Sequence, residues 1–315
     1  VGRNATDNVY QYFDFLMKKS PLQPKHFLRA FSLIELSIVV LIIGILIAGV
    51  TQGSRIVMQA RLKVAQNQTQ ASSVNSVPGL YLWLEPTTAG NIVSATNGAA
   101  PENNDSISSW NDYGTQIANK MTIKQLTSAN QPKYISNGIN GLPSVQFDGA
   151  NYYLNGTNGI IFSDITIFIV TQLNSILNDL SAFIYSQGPW QANNLQLLMH
   201  NTTGYVQYSI YPTSNDFWNT SRSLFDLRPH LLTFRDNNTT KLDIFVDGGY
   251  EMSTTSSQSP KDWTSISIGA WNNSGASRYL NGYISEIIIY NRALKNSEVT
   301  DVNNYLITKY NIKTN

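Results

Sequence analysis

The chain has no cysteine in 315 residues, which excludes disulfides, thiolate chemistry and cysteine-ligated zinc. Charge is scarce as well: 13% of residues are Asp, Glu, Lys or Arg, against a hydrophobic share of 42%. The polar surface must therefore be built from Asn, Ser, Thr and Tyr. Histidine occurs only at His26, His200 and His230, too scattered for a histidine-based metal or nucleophilic site. A basic field that would favour nucleic acid is also missing. Residues 1–30 hold five of the 21 Lys/Arg and two of the 20 Asp/Glu, so the rest carries 16 basic and 18 acidic residues, a net charge of −2. The length suggests about two domains. Without disulfides, an exported domain of this size must be held by core burial.

What the chain does have is one long apolar run, Phe31-Ser-Leu-Ile-Glu35 through Val50. Between Glu35 and Arg55 lie 19 consecutive uncharged positions. As a helix rising about 1.5 Å per residue, that length matches a hydrocarbon core ~30 Å thick. Glu35 is then an acid placed at the end of a membrane span, where it costs at least about 2.5 kcal/mol unless it finds a partner. No basic residue among 31–54 supplies one. Residues 1–16 carry no usable pattern, and Met17-Lys-Lys reads as the natural start. Lys18, Lys19, Lys25 and Arg29 keep the leader cytoplasmic, so everything after the span is exported. A polar continuation without proline predicts one helix from about Ser32 to near Ser73, ended by Ser-Val-Pro78-Gly79.

The block Phe31-Ser-Leu-Ile-Glu35-Leu behind Arg29-Ala30 resembles the type IV prepilin processing site, as found in pilins and pseudopilins. The resemblance covers about residues 17–60. It implies that prepilin peptidase cuts between Ala30 and Phe31 and methylates the new amine. The family usually has Gly where this chain has Ala30. It also implies that Glu35 accepts the Phe31 amine of a neighbouring subunit as a filament assembles. The domains are then a leader over 1–30, a pilin-type helix over 31–77 with its span at 31–50, and an exported domain over 78–315. The implied location is the bacterial inner membrane before assembly, then an extracellular pilus or a periplasmic pseudopilus. The implied partners are identical or related subunits and the pilus assembly machinery.

From Leu80 the period changes to short β-rich runs broken by Asn, Gly, Asp and Ser. The clearest are Leu80–Leu84, Ser144–Phe147, Ile165–Thr171, Ala182–Tyr185, Tyr205–Tyr211, His230–Phe234, Lys241–Val246, Ser265–Ile268 and Tyr283–Tyr290. Many strands with no intervening helical period predict an all-β antiparallel sandwich. A short helix closes the chain, capped at Asn296 or Ser297, with Val299, Val302, Leu306 and Tyr310 on one face and Lys309 at its negative end. Several blocks over about residues 79–312 resemble the concanavalin A-like jelly rolls in their laminin G-like form. They include Gly79-Leu-Tyr-Leu-Trp-Leu84, Val145-Gln-Phe-Asp-Gly149, Phe245-Val-Asp-Gly248 and the run Leu280 to Leu294 with Asn291-Arg-Ala-Leu294.

Enzymes of that superfamily set two glutamates and an aspartate at alternate positions of one strand, so that they face one cleft. This chain has no such spacing, and Glu286 is alone on its run; the reading is a non-enzyme. Calcium is the one cofactor considered, with Asp148, Asp247 and Asn272 as ligand candidates beside turns or strand ends. Asp148-Gly149 and Asp247-Gly248 serve equally as hairpin turns needing no metal. Surface glycans are the candidate ligands, with Trp190, Trp218 and Trp271 in polar, loop-like settings, whereas Trp83 and Trp110 read as core. Two functions stay open: a pilin-like filament subunit displaying a lectin-like sandwich, or a membrane-anchored, non-polymerising carbohydrate-binding module or inactive glucanase-like domain.

Overall fold

The computed structural model describes residues 32–115, 120–175, 180–187, 193–200, 203–211, 217–238, 240–255, 261–272 and 276–314. They divide into two units, one ending at Ser54 and the other spanning Arg55–Asn315. Helix α1 (Leu33–Ala71) is continuous over 39 residues, within two residues of the expected ends. Its most apolar window has a mean hydropathy of 2.9 and no buried residue, so it is long and apolar enough to cross a membrane. At its start Glu35 turns back and accepts a hydrogen bond from the Ser32 amide at 2.9 Å. The carboxylate thus serves one of the unpaired amides at the positive end of the helix.

The second unit is an antiparallel two-sheet sandwich closed by helix α2 (Asn296–Tyr310). The first sheet runs Gly249–Thr254, Lys241–Val246, His230–Asn237, Ile165–Leu173, Asn281–Tyr290, Ser144–Asp148, Lys133–Ile135. Asn281–Tyr290 is long enough to pair with Ser144–Asp148 at its start and with Leu80–Leu84 at its end. The second sheet runs Phe217–Asn219, Val206–Tyr211, Asn194–His200, Leu180–Gln187, Lys261–Ile268, Leu154–Phe162, Thr122–Lys124, Ile107–Asn111, Ile92–Ser94. Its pairings are antiparallel except for a single parallel bridge between Asn194 and Asp262.

Why the first sheet is so apolar follows from what lies on its two faces. Along Ile165–Leu173 every residue except Gln172 is buried. Alternate side chains point to opposite faces. Ile167 and Ile169 join Leu232, Phe234, Ile287 and Ile289 in the core that contains residues of both sheets. Phe168 and Val170 join Leu231, Ile288 and Tyr290 in a second cluster with Val299, Val302 and Leu306 of α2 and Ala65 of α1. The last turns of α1 and the whole of α2 therefore cover the outer face of this sheet. The cap of α2 is Lys295 rather than Asn296 or Ser297: the Lys295 amide donates to Glu298 Oε2 at 2.7 Å. A glutamate three residues into the helix can satisfy that amide whatever the cap side chain is.

Candidate functional site

The junction of α1 with the sandwich is built around three buried charges that lie far apart in sequence. A β-bulge between Ile284 and Glu286 shifts the register against Ile165–Leu173, and such bulges re-aim side chains. Glu286 is fully buried and meets α2, where Lys309 Nζ donates to its Oε2 at 2.8 Å. Lys309 also donates to Glu85 Oε1 at 2.6 Å and to Thr69 Oγ1 of α1 at 2.8 Å. Trp83 Nε1 and the hydroxyls of Tyr305 and Tyr310 donate to Glu286 at 2.7, 2.8 and 2.8 Å. Gln66 of α1 adds a bond to the Thr87 carbonyl at 2.8 Å.

The electrostatics of this cluster separate its two acids. Burial pushes both carboxyls up; at Glu85 the Lys309 ammonium and the Thr87 donors outweigh it, leaving a lowered pKa. At Glu286 burial wins, reinforced by the Glu85 charge and only partly opposed by Lys309, and the pKa is raised. Burial alone would lower Lys309, but the two acids hold it above its ordinary value. One ammonium therefore sits between one carboxyl whose pKa is lowered and one whose pKa is raised. Lys309, in the last turn of α2 as the sequence indicates, is thus also a buried ion-pair centre.

The predicted site residues are dispersed. Asp148 Oδ1 accepts the amides of Ala150, Asn151 and Tyr152 at 2.9, 2.8 and 2.9 Å, which is a turn cap. Asp247 is buried with φ of 55°, bonded to Arg222 at 3.0 Å, to His230 Nδ1 at 3.0 Å and to the Leu231 amide at 3.0 Å. His230 reaches Asp226 through Nε2 at 2.8 Å; burial would lower its pKa, but the two aspartates raise it. Both carboxylates are committed to protein donors, and no group of three His, Asp or Glu among the described residues is placed to hold a metal ion. The side chain of Asn272, together with Ala30, Phe31 and Trp190, lies outside the described residues. Trp218 packs on Tyr208 with ring centres 6.1 Å apart. Trp271 packs on Tyr185 at 5.5 Å and carries the Arg278 guanidinium over its ring at 4.6 Å. Trp83 and Trp110 are fully buried, as read.

The sequence reading missed a groove of about 510 Å³ between α2 and the edge strand Gly249–Thr254. Tyr250, 61% exposed, stands on its wall, edge-on to Phe245 at 5.8 Å. Asn296, Thr300, Asn303 and Asn304 line the opposite side from α2. An open aromatic ring beside carboxamides offers a stacking platform with hydrogen-bonding neighbours. The signal was present in Asp247-Gly-Gly-Tyr250, an aromatic delivered to a sheet edge straight after a turn.

The fold is an antiparallel two-sheet β-sandwich with an open groove beside one edge strand. The family model of the concanavalin A-like lectin/glucanases superfamily, in its laminin G form, matches residues 148–300, and this region is similar to that family. No curated protein matches the chain. Among solved structures, the binding domain of botulinum neurotoxin serotype D is similar with a TM-score of 0.51 and 13% identity, covering 75% of this chain and 52% of that one. The binding domain of botulinum neurotoxin DC in complex with rat synaptotagmin II gives 0.43 and 12%, covering 52% and 43%. The Ruminococcus gnavus IT-sialidase CBM40 bound to α2,3-sialyllactose gives 0.39 and 14%, covering 45% and 83%. The chain thus spans about half the length of the toxin domains. At such identities these likenesses concern the fold alone.

Proposed function

We propose that the chain is a type IV pilin-like subunit that assembles through α1 and displays a non-catalytic, lectin-like sandwich. The observation that carries the reading is α1 itself. It begins with an unburied apolar window bearing the single acid Glu35 and ends with Ala65 and Thr69 buried among sandwich residues. A plain anchor needs no acid at that position and no fixed end. A filament subunit needs both, one to register neighbours and the other to transmit load from helix to displayed domain. Prepilin peptidase would release the leader at Ala30 and methylate Phe31. The subunit would wait in the inner membrane and then enter a pilus or pseudopilus, with related subunits and the assembly machinery as partners.

The displayed sandwich is proposed to bind surface glycans, with Tyr250 and its groove added to Trp218 and Trp271 as candidate contacts. Replacing Glu35→Ala tests the assembly reading. Membrane insertion is expected to persist while incorporation into filaments is lost. Normal assembly of that variant would favour the non-polymerising, membrane-anchored module instead.

A further inference from the structure

A second buried lysine is placed quite differently from Lys309. Lys261 opens the second-sheet strand Lys261–Ile268, opposite Phe162, and is fully buried. Its Nζ lies 2.8 Å from Asp236 Oδ2, 2.8 Å from Asn238 Oδ1 and 2.8 Å from the Ser163 carbonyl. Asp236, also buried, ends the first-sheet strand His230–Asn237, and its Oδ2 accepts the Tyr208 hydroxyl at 2.6 Å. Asn238 is held in place through its own amide, which donates to Asp164 Oδ1 at 3.0 Å. The surroundings are aromatic: Tyr208 packs on Phe234 at 5.8 Å, and Phe162 packs on Trp263 at 5.8 Å.

A buried amine and a buried carboxylate are therefore gathered with a half-buried carboxamide at one point where the two sheets meet. The geometry points to an intramolecular amide bond between Lys261 Nζ and Asn238 Cγ, formed without any added reagent. Lys261 Nζ passes one proton to Asp236 Oδ2 along their 2.8 Å contact, which replaces two buried charges by none. The neutral amine then attacks Asn238 Cγ, with Asp236 as the proton carrier. The new bond is Nζ–Cγ and the broken one is Cγ–Nδ2. Asp236 gives the proton it holds to Nδ2, which leaves as ammonia, and takes the second amine proton, ending as the neutral acid. Atoms and charge balance with one ammonia lost, and no oxidant or cofactor takes part. Holding the two groups together in a fixed pose is what makes so sluggish a reaction accessible. In a chain with no cysteine, this bond would staple sheet to sheet where a disulfide cannot.

Proteolysis with mass spectrometry of the purified full chain tests the assignment, since peptide masses do not depend on how the leader is processed. The expected result is one branched peptide joining the Asn238 and Lys261 segments, lighter than their sum by one ammonia, with trypsin failing to cut after Lys261. Asp236→Asn should slow or abolish its formation, and Lys261→Arg should yield only linear peptides. Two linear wild-type peptides of unaltered mass, with cleavage after Lys261, would overturn the assignment whether or not the variants fold.

Discussion

Replacing Lys309→Met removes the buried cation that bridges Glu85 and Glu286 at the α1–sandwich junction while roughly keeping its volume. Nζ makes four contacts there, to Glu85, Glu286, Thr69 and Tyr305 at 2.6, 2.8, 2.8 and 3.1 Å. Removing one partner of a buried pair costs about 3–5 kcal/mol, because the other charge is left uncompensated. For a domain of this size that corresponds to roughly 10 °C in Tm. The pH dependence carries the sharper signature. In the native chain Glu85 has a lowered pKa, so its contribution is full above the ordinary carboxyl value of 4.5 and is lost only as pH falls through the folded value. In the variant the Lys309 charge no longer opposes burial, the largest cause at both acids. Only the Thr87 donors at Glu85 and the Trp83 donor at Glu286 still hold the pKa values down, so both are expected to rise. Their ionisation then costs stability above the folded pKa, a cost relieved as pH falls toward the ordinary range. The deficit should therefore be larger at about pH 8 than at about pH 5. Adding Glu85→Gln and Glu286→Gln should recover most of the loss. Thermal unfolding followed by near-ultraviolet circular dichroism, which sees Trp83, is the assay. A deficit below about 1 kcal/mol, or one independent of pH, would refute the buried-charge account.

Asp112 offers a change in the opposite direction. Burial raises its pKa from 3.8 to about 6, its Oδ1 accepts the Trp83 and Gly114 amides at 3.0 and 2.9 Å, and its Oδ2 has no partner among the described residues. An acid with a raised folded pKa loses stability as pH rises between those two values. Asp112→Asn should thus gain about 1 kcal/mol or more at about pH 8 and little at about pH 4, checked by urea unfolding at both. Gly282→Ala would place a Cβ 2.4 Å from the Gln172 carbonyl oxygen and 3.0 Å from Leu173 Cα, both backbone atoms. It should cost about 1–3 kcal/mol in the same assay, since neither atom can step aside. Tyr250→Ala, an exposed site, should leave stability within about 0.5 kcal/mol while removing glycan-array signal. Retained signal would move the glycan contacts away from the groove.

Periodicity revealed most of the fold because the elements that matter are strongly patterned. Leu80–Leu84 and Lys241–Val246 have the expected bounds, and α2 buries Val299, Val302, Leu306 and Tyr310 as its spacing predicts. The strand Leu154–Phe162 was hidden by Asn155-Gly-Thr-Asn-Gly, a turn-like composition. Gly156 is there because a Cβ would come 2.5 Å from Ile123 Cδ1 and 2.9 Å from Met121 Sδ, a packing demand that no local pattern reports. The charged junction was equally hidden. Glu85 and Lys309 are 224 residues apart, and a lysine in a last helical turn is already accounted for by the helix dipole, so nothing local points to the acids that the fold brings to it. Trp218 and Trp271 were chosen for their polar neighbours in sequence. In space Trp218 packs on Tyr208 and Trp271 on Tyr185 and Arg278, while Tyr250 is a more exposed ring that no polar sequence neighbourhood singled out.

The most direct measurement of the central claim is imaging of the native protein combined with mass measurement of its N-terminus. The account predicts filaments whose subunits begin at N-methylated Phe31. A protein that remains in the membrane as single copies, with residues 17–30 still attached and Phe31 unmethylated, would contradict it.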